Sequence, residues 1–190
     1  MAIWPAATPI GVQATIEEYD PVYTAQNGAG TNMSVLLAAP GYNGWDQIGW
    51  FKMKKGGSGT VGRYLGEEYE PGAHWQYWTA HAAGTNTSFR VTFDPLMKVY
   101  RGYIGGVPYT SHTATEFPVS YQMMGETHDK ADQMPGGLAN TARIASPQYK
   151  VVGDTSWKTV TATMANGYSS IYGVSNLNPG YAIWDKRCSE

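Results

Sequence analysis

Apolar and polar residues alternate with a period of two along most of the chain, and each run is cut short by Gly, Pro, Asn or Asp. Side chains of a strand point alternately to its two faces, so each run predicts a strand with one face on a core. Ile10–Glu18 sets Ile10, Val12, Ala14 and Ile16 against Gly11, Gln13, Thr15 and Glu17, and closes at Asp20-Pro21. After a Gly/Asn-rich loop, Gln26–Asn32, the continuous apolar run Met33–Ala39 fits a sandwich interior and stops at Pro40-Gly41. Beyond the KKGGSG turn, Lys54–Gly59, the segments Arg63–Glu70 and Trp75–His81 read as a hairpin joined at Pro71-Gly72. Phe89, Val91 and Phe93 alternate with Arg90, Thr92 and Asp94, and Lys98–Ile104 passes through Gly105-Gly106 into Val107–Ser111, a two-residue hairpin signal. Ala142–Val152, Trp157–Thr163, Ser169–Val174 and Tyr181–Trp184 continue the series. With no helical periodicity, internal repeat or linker between these runs, the expectation is one all-β domain over residues 1–190 with at most a turn or two of helix. Its predicted architecture is an antiparallel two-sheet β-sandwich of the jelly-roll, concanavalin A-like kind.

Two runs carry chemistry as well as pattern. In Val119–Gly137, the alternation sends Val119, Tyr121, Met123, Gly125 and Thr127 to one face and Ser120, Gln122, Met124, Glu126 and His128 to the other. One face suits a core; the other lines up an amide, a carboxyl and an imidazole. Gly44–Lys54 places Trp45, Gln47, Gly49, Phe51 and Met53 opposite Asp46, Ile48, Trp50 and Lys52. The plainer account of both is a half-exposed strand with polar residues facing water and tryptophans packed in the core. In a sandwich, however, the outer face of one sheet can form a groove, and Trp45, Trp50, Trp78, Gln122 and His128 are of groove-lining type, flat rings for stacking and polar groups for orientation. Gln133 joins them if Asp129–Gly137 is an ordered loop at the groove's rim; hydrogen bonding of Asp129, Asp132 and Gln133 to the turn backbone is the simpler alternative.

Composition narrows the partners. The 190 residues are 42% hydrophobic and 13% aromatic, enough for a substantial core. A net charge of −2 with 15% charged residues, and no basic cluster larger than Lys52/Lys54/Lys55, speaks against nucleic acid or a membrane surface as partner. No run reaches the ~18 apolar residues of a spanning helix, and the first residues, MAIWPAATP, lack the features of a leader. Cys188 is the only cysteine, which rules out an intrachain disulfide and disfavours Cys-based chemistry. His74, His81, His112 and His128 show no HExxH or other ligand spacing, so neither metal nor cofactor is expected, and no GxSxG elbow is present. Glu67 and Glu68 offer a second carboxylate beside Glu126, as in glycosidases, but adjacent strand residues face opposite ways and only one of them can serve.

With these residues in place a family resemblance emerges. GWDQIGW is similar to the segment of neprosin-type glutamic peptidases in which an acidic residue or its amide counterpart precedes Gly-Trp, and GETHDKADQMPGG resembles their second, Gly-Glu segment. The order and separation of the two also suit the fungal eqolisin peptidases, two-sheet sandwiches that use a Gln/Glu pair. The resemblance implies Glu126 as the catalytic glutamate and Gln47 where neprosins have their other glutamate and eqolisins their glutamine. It further implies a polypeptide substrate and an extracellular protein whose leader has been removed. In such a pair Glu126 acts as general base toward water and then as general acid, while the Gln47 amide faces the oxyanion. Two other classes stay open on the residues alone: a carbohydrate-binding sandwich presenting Trp and Tyr to a glycan, and a structural protein of surface assemblies.

Overall fold

The computed structural model describes residues 2–22, 30–54, 60–71, 74–128, 131–162 and 167–188. Most of the Gln26–Asn32 loop, all but Lys54 of the Lys54–Gly59 turn, and Gly72, Asp129, Lys130 and Thr163 lie outside the described residues. Fourteen strands follow in chain order: β1 Ala2–Ile3, β2 Pro9–Glu17, β3 Thr31–Ala38, β4 Trp45–Lys54, β5 Val61–Glu70, β6 His74–Thr79, β7 Asn86–Asp94, β8 Val99–Ile104, β9 Val107–Thr113, β10 Ser120–Thr127, β11 Ala142–Val151, β12 Lys158–Thr159, β13 Tyr172–Leu177 and β14 Gly180–Asp185. Among the described residues the only helical piece is the 3₁₀ turn Pro40–Tyr42.

The strands form two antiparallel sheets. One has the order β1-β10-β3-β4-β5-β6; the other runs β13-β14-β11-β2-β7-β8-β9, with β12 attached to β11. The antiparallel β-sandwich expected from the alternation is the observed fold. The period-two pattern explains why the sheets stack as they do. Met33, Val35 and Leu37 of β3, Ile48 and Trp50 of β4, and Tyr121 and Met123 of β10 point inward, against Val12, Ala14 and Ile16 of β2 and Phe89, Val91 and Phe93 of β7. Each such aliphatic side chain contributes about 1.5–3 kcal/mol by leaving water, so the inward faces of both sheets are fixed by burial.

Three details depart from the sequence expectation. Met33–Ala39 is buried throughout, yet it is not uniformly apolar: Ser34 sits between Met33 and Val35 and points away from the core face. Trp157–Thr163 gives only the exposed two-residue strand β12, which pairs with β11. Ala2–Ile3, too short to show a period, pairs with β10 across from Gln122 and Tyr121.

Candidate active site

On the side of the six-stranded sheet away from the core, β10, β3, β4 and β5 floor an open cleft of about 340 Å³. Its geometry follows from register. Gln122, Leu36, Gln47 and Glu68 stand opposite one another in one row across the four strands. Met124, Ser34, Gly49 and Gly66 make the next row, and Glu126 with Asn32 opens the third. The middle row is small at three of its four places, which leaves a depression between Gln47 and Glu68 on one side and Glu126 on the other. A Cβ at Gly66 would fall 2.5 Å from Tyr77 Cδ1, so the missing side chain lets Tyr77 lie across β5. From there its hydroxyl donates to Glu68 Oε1 at 2.7 Å.

Asn32 links the two halves of the cleft. Its Nδ2 donates to Glu126 Oε2 at 3.0 Å, while its Oδ1 accepts from Gln47 Nε2 at 3.2 Å and from Ser34 Oγ at 3.0 Å. Gln47 Nε2 also donates to Ser34 Oγ at 2.9 Å, so both amide hydrogens of Gln47 are engaged on the floor. Glu126, with 42% of its side chain exposed, stands 3.7 Å from His128 Nε2. The neighbouring imidazole, with the Asn32 and Gln47 amides, holds the Glu126 carboxyl below the ordinary glutamate value against the opposing effect of burial. The same pairing raises His128. Glu68 moves the other way: burial raises it, and the nearby Glu126 charge adds to that, in excess of the lowering by the Tyr77 hydroxyl and His128. Two carboxyls in one cleft are therefore shifted in opposite directions, the kind of separation by which a base and an acid are told apart.

The cleft walls come from turns. Tyr42 follows Gly41 through a left-handed pair (φ 61° and 56°), a conformation a residue with a Cβ rarely adopts. This swings the tyrosine over the cleft, where its hydroxyl accepts a hydrogen bond from Gln122 Nε2 at 2.6 Å. Trp45 lines the same wall and His128 stands by Glu126.

No protein-family model matches the chain, and no curated protein matches it in sequence. Among solved structures, scytalido-glutamic peptidase with a peptide-based transition-state analogue matches with a TM-score of 0.64 and 10% identity, over 97% of this chain and 95% of that one. The same peptidase with a transition-state analogue inhibitor matches with the same values. The fold is that of a glutamic peptidase.

On this glutamic-peptidase fold the structure brings together Gln47, Trp45, Gln122, Glu126 and His128, and leaves out three residues that the sequence placed with them. Trp50 is fully buried on the core face with its indole N–H donated to Glu17 O at 3.0 Å, because it shares the parity of Ile48 and not that of Gln47. Trp78 turns inward with Leu65 and meets Tyr109 edge-on at 4.9 Å; Tyr77 and the exposed Trp75 are on the other face of β6, the side of Glu68. Gln133 accepts from the Val22 N–H at 2.5 Å and donates to Cys188 Sγ at 2.8 Å, tying its loop to other parts of the chain instead of lining the cleft. Asn32, Ser34 and Tyr42 are the participants that sequence reasoning missed; the aromatic segment Trp75–His81 left both of its faces open, and it is the Tyr77 face that meets Glu68. Of Glu67 and Glu68, it is Glu68 that faces Glu126, on the same face of the sheet as Gln47.

Proposed function

We propose that the cleft hydrolyses peptide bonds as a glutamic endopeptidase, with Glu126 as general base and Gln47 as oxyanion donor. One observation carries the reading: Gln47 and Glu126 open into a single cleft, bridged by Asn32, with a depression between them. Glu126, kept ionised by its neighbours, takes a proton from water as the oxygen bonds to the carbonyl carbon. The carbonyl electrons pass to oxygen, and the amide of Gln47 donates to it. Since both Gln47 hydrogens are already engaged, the longer bond, to Asn32, is the one exchanged for the oxyanion, while Ser34 keeps the amide oriented. The proton then goes to the leaving nitrogen as the carbon–nitrogen bond breaks. Glu68, which retains its proton to higher pH than an ordinary glutamate, is a second acid on the facing side.

Tyr42 and Trp45 give the flanks of an extended polypeptide apolar surface. A peptide-based analogue in the structural neighbour supports a polypeptide substrate for this chain. Secretion is part of the same proposal, supported by the low charge and the richness in Tyr and Trp. The test is cleavage of a denatured protein and of quenched peptides from about pH 3 to 8 by the parent and by Glu126→Gln. Cleavage by the parent that is lost in the variant is expected. Absence of cleavage by the parent throughout, with binding to an immobilised glycan, would replace the peptidase by a carbohydrate-binding module.

A further inference from the structure

The inner side of β4 and β5 holds a second polar cluster, which the proposed reaction does not use. Asp46, one residue before Gln47, and Glu67, one before Glu68, are fully buried between the sheets. His112 of β9, on the opposite sheet, turns toward them with a side chain only 10% exposed and Nε2 3.9 Å from Asp46 Oδ2. Among the described residues, neither Asp46 oxygen, nor Glu67 Oε2, nor either ring nitrogen of His112 has a hydrogen-bond partner. No lysine or arginine among them pairs with either carboxyl. Ionised carboxylates without a cation in a core cost several kcal/mol each, so the cluster requires a neutralising species.

We propose that Asp46, Glu67 and His112 bind a divalent transition-metal ion, zinc by the fit of the donor set, as a clamp between the two sheets. One ligand atom from each lies within 4.8 Å of the others, and closure by up to roughly 1.5 Å brings them to the spacing of ligands about 2.0–2.1 Å from a tetrahedral zinc. Two carboxylate oxygens and one imidazole suit zinc, and their charge cancels that of the ion. The surroundings already orient the set. Thr110 Oγ1 donates to Glu67 Oε1 and accepts from the Gly102 N–H at 3.1 Å, which leaves Oε2 as the free ligand atom. A Cβ at Gly102 would lie 2.5 Å from Glu67 Oε1, so the strand opposite carries no side chain where the carboxyl sits. Tyr100, whose hydroxyl is also without a partner among the described residues, lies near enough to Asp46 for the carboxylate to add to its raised pKa and offers a further oxygen. The ring of His112 is fixed by stacking on Tyr69 with centroids 3.7 Å apart, and Tyr69 stacks in turn on the exposed His74 at 5.0 Å. This stack lies toward edge strands β6 and β9, where an ion can enter. Burial, the largest cause for both, raises Asp46 well above the ordinary range, with the Glu67 charge adding to it, and raises Glu67 to about 7 against the lowering by the Thr110 hydroxyl and by Asp46. A proton shared between the two is therefore the rival neutraliser.

The experiment uses the full chain, stripped with a chelator and titrated with zinc chloride alone. We expect one tightly bound zinc per chain, a higher Tm with zinc, and loss of both in His112→Gln and Glu67→Gln but not in Glu126→Gln. X-ray absorption at the zinc edge of the parent protein, which needs no variant to fold, should show a single imidazole among oxygen ligands. Failure of the stripped parent to bind zinc, cobalt or manganese stoichiometrically would overturn the proposal in favour of the shared proton. So would zinc binding that persists in His112→Gln, or a spectrum with two or more imidazoles, either of which would put the ion on surface histidines.

Discussion

Asp46 and Gln47 are neighbours on β4, Glu67 and Glu68 on β5, and the sheet divides each pair between its two sides. Toward solvent, Gln47 and Glu68 join Glu126 in a cleft where the polar groups described are supplied with partners: Asn32, Ser34, Tyr77 and His128. Toward the core, Asp46 and Glu67 meet His112 with most of their polar atoms unbonded. Carboxyls on the two sides therefore differ in what offsets their burial: the His128 imidazole and the Asn32 and Gln47 amides hold Glu126 down, while burial pushes Asp46 up. Parity decides which neighbours a carboxyl meets, and the balance of their donors against desolvation decides its direction: Glu68, on the cleft face, is still raised by burial, in excess of what Tyr77 and His128 lower it.

The largest effect that separates the two sides belongs to Glu126→Gln. The amide keeps the shape and the Asn32 contact region but accepts no proton, so kcat/KM for peptides should fall by roughly 10²-fold to 10⁴-fold while circular dichroism stays that of the parent. Equal loss of fold and activity would show that the cleft carboxyl is structural, like those inside.

The pH profile gives the next contrast. Because Glu126 lies below the ordinary glutamate value of 4.5, the activity that needs its ionised form should persist below that value and fall only as the pH drops through its own lower pKa. Glu68 lies above 4.5, so a limb that needs its protonated form should fall on the alkaline side. Glu68→Gln should remove the alkaline limb, keep the acid limb, and lower the maximal kcat/KM by about tenfold. Persistence of the alkaline limb in that variant would take Glu68 out of the reaction.

The interior is sharpened by Gly102→Ala. The added methyl would lie 2.5 Å from both Glu67 Oε1 and Thr110 Oγ1, so unfolding by urea should show a loss of about 1–3 kcal/mol with kcat/KM at saturating stability conditions unchanged. Unchanged stability would mean that the core around Glu67 yields to added volume. The smallest effect is expected for Gln133→Ala, which loses its bonds to Val22 and Cys188, about 1 kcal/mol of stability, and leaves kcat/KM within about twofold.

The alternation made a good part of this legible in advance. It put Gln122, Glu126 and His128 on one face of β10 and Gln47 opposite Asp46 on β4, and it required Glu67 and Glu68 to part company. Parity also contradicts the assignment of Trp50 to the cleft, since Trp50 shares its side with Ile48, and position outweighs residue type there. Other parts lay beyond a local pattern. Asn32 bridges the cleft by standing across from Glu126 on a strand distant in sequence, and Ser34 is masked by the apolar residues on either side of it. His112 meets Asp46 across the gap between sheets, a proximity that ligand spacing along the chain does not encode. Tyr42 reaches its place through a left-handed turn for which only Gly41 gave a hint.

Gln47, Asn32, Ser34 and Glu68 sit where their strands are hydrogen-bonded on both sides, whereas Glu126 is paired on the β3 side and Tyr42 and His128 belong to turns. Backbone amides beneath the first group should be among the last in the molecule to exchange with deuterium, and those of the turns among the earliest. Such a division separates inheritance of the chemistry from inheritance of the taste for substrate. Under the proposed reaction, substitutions in the Pro40–Tyr42 turn or just past Thr127 would reshape what the cleft accepts while the ladder that aligns Gln47, Glu68 and Glu126 is left undisturbed, so descendants of this chain would be free to change their diet faster than their mechanism.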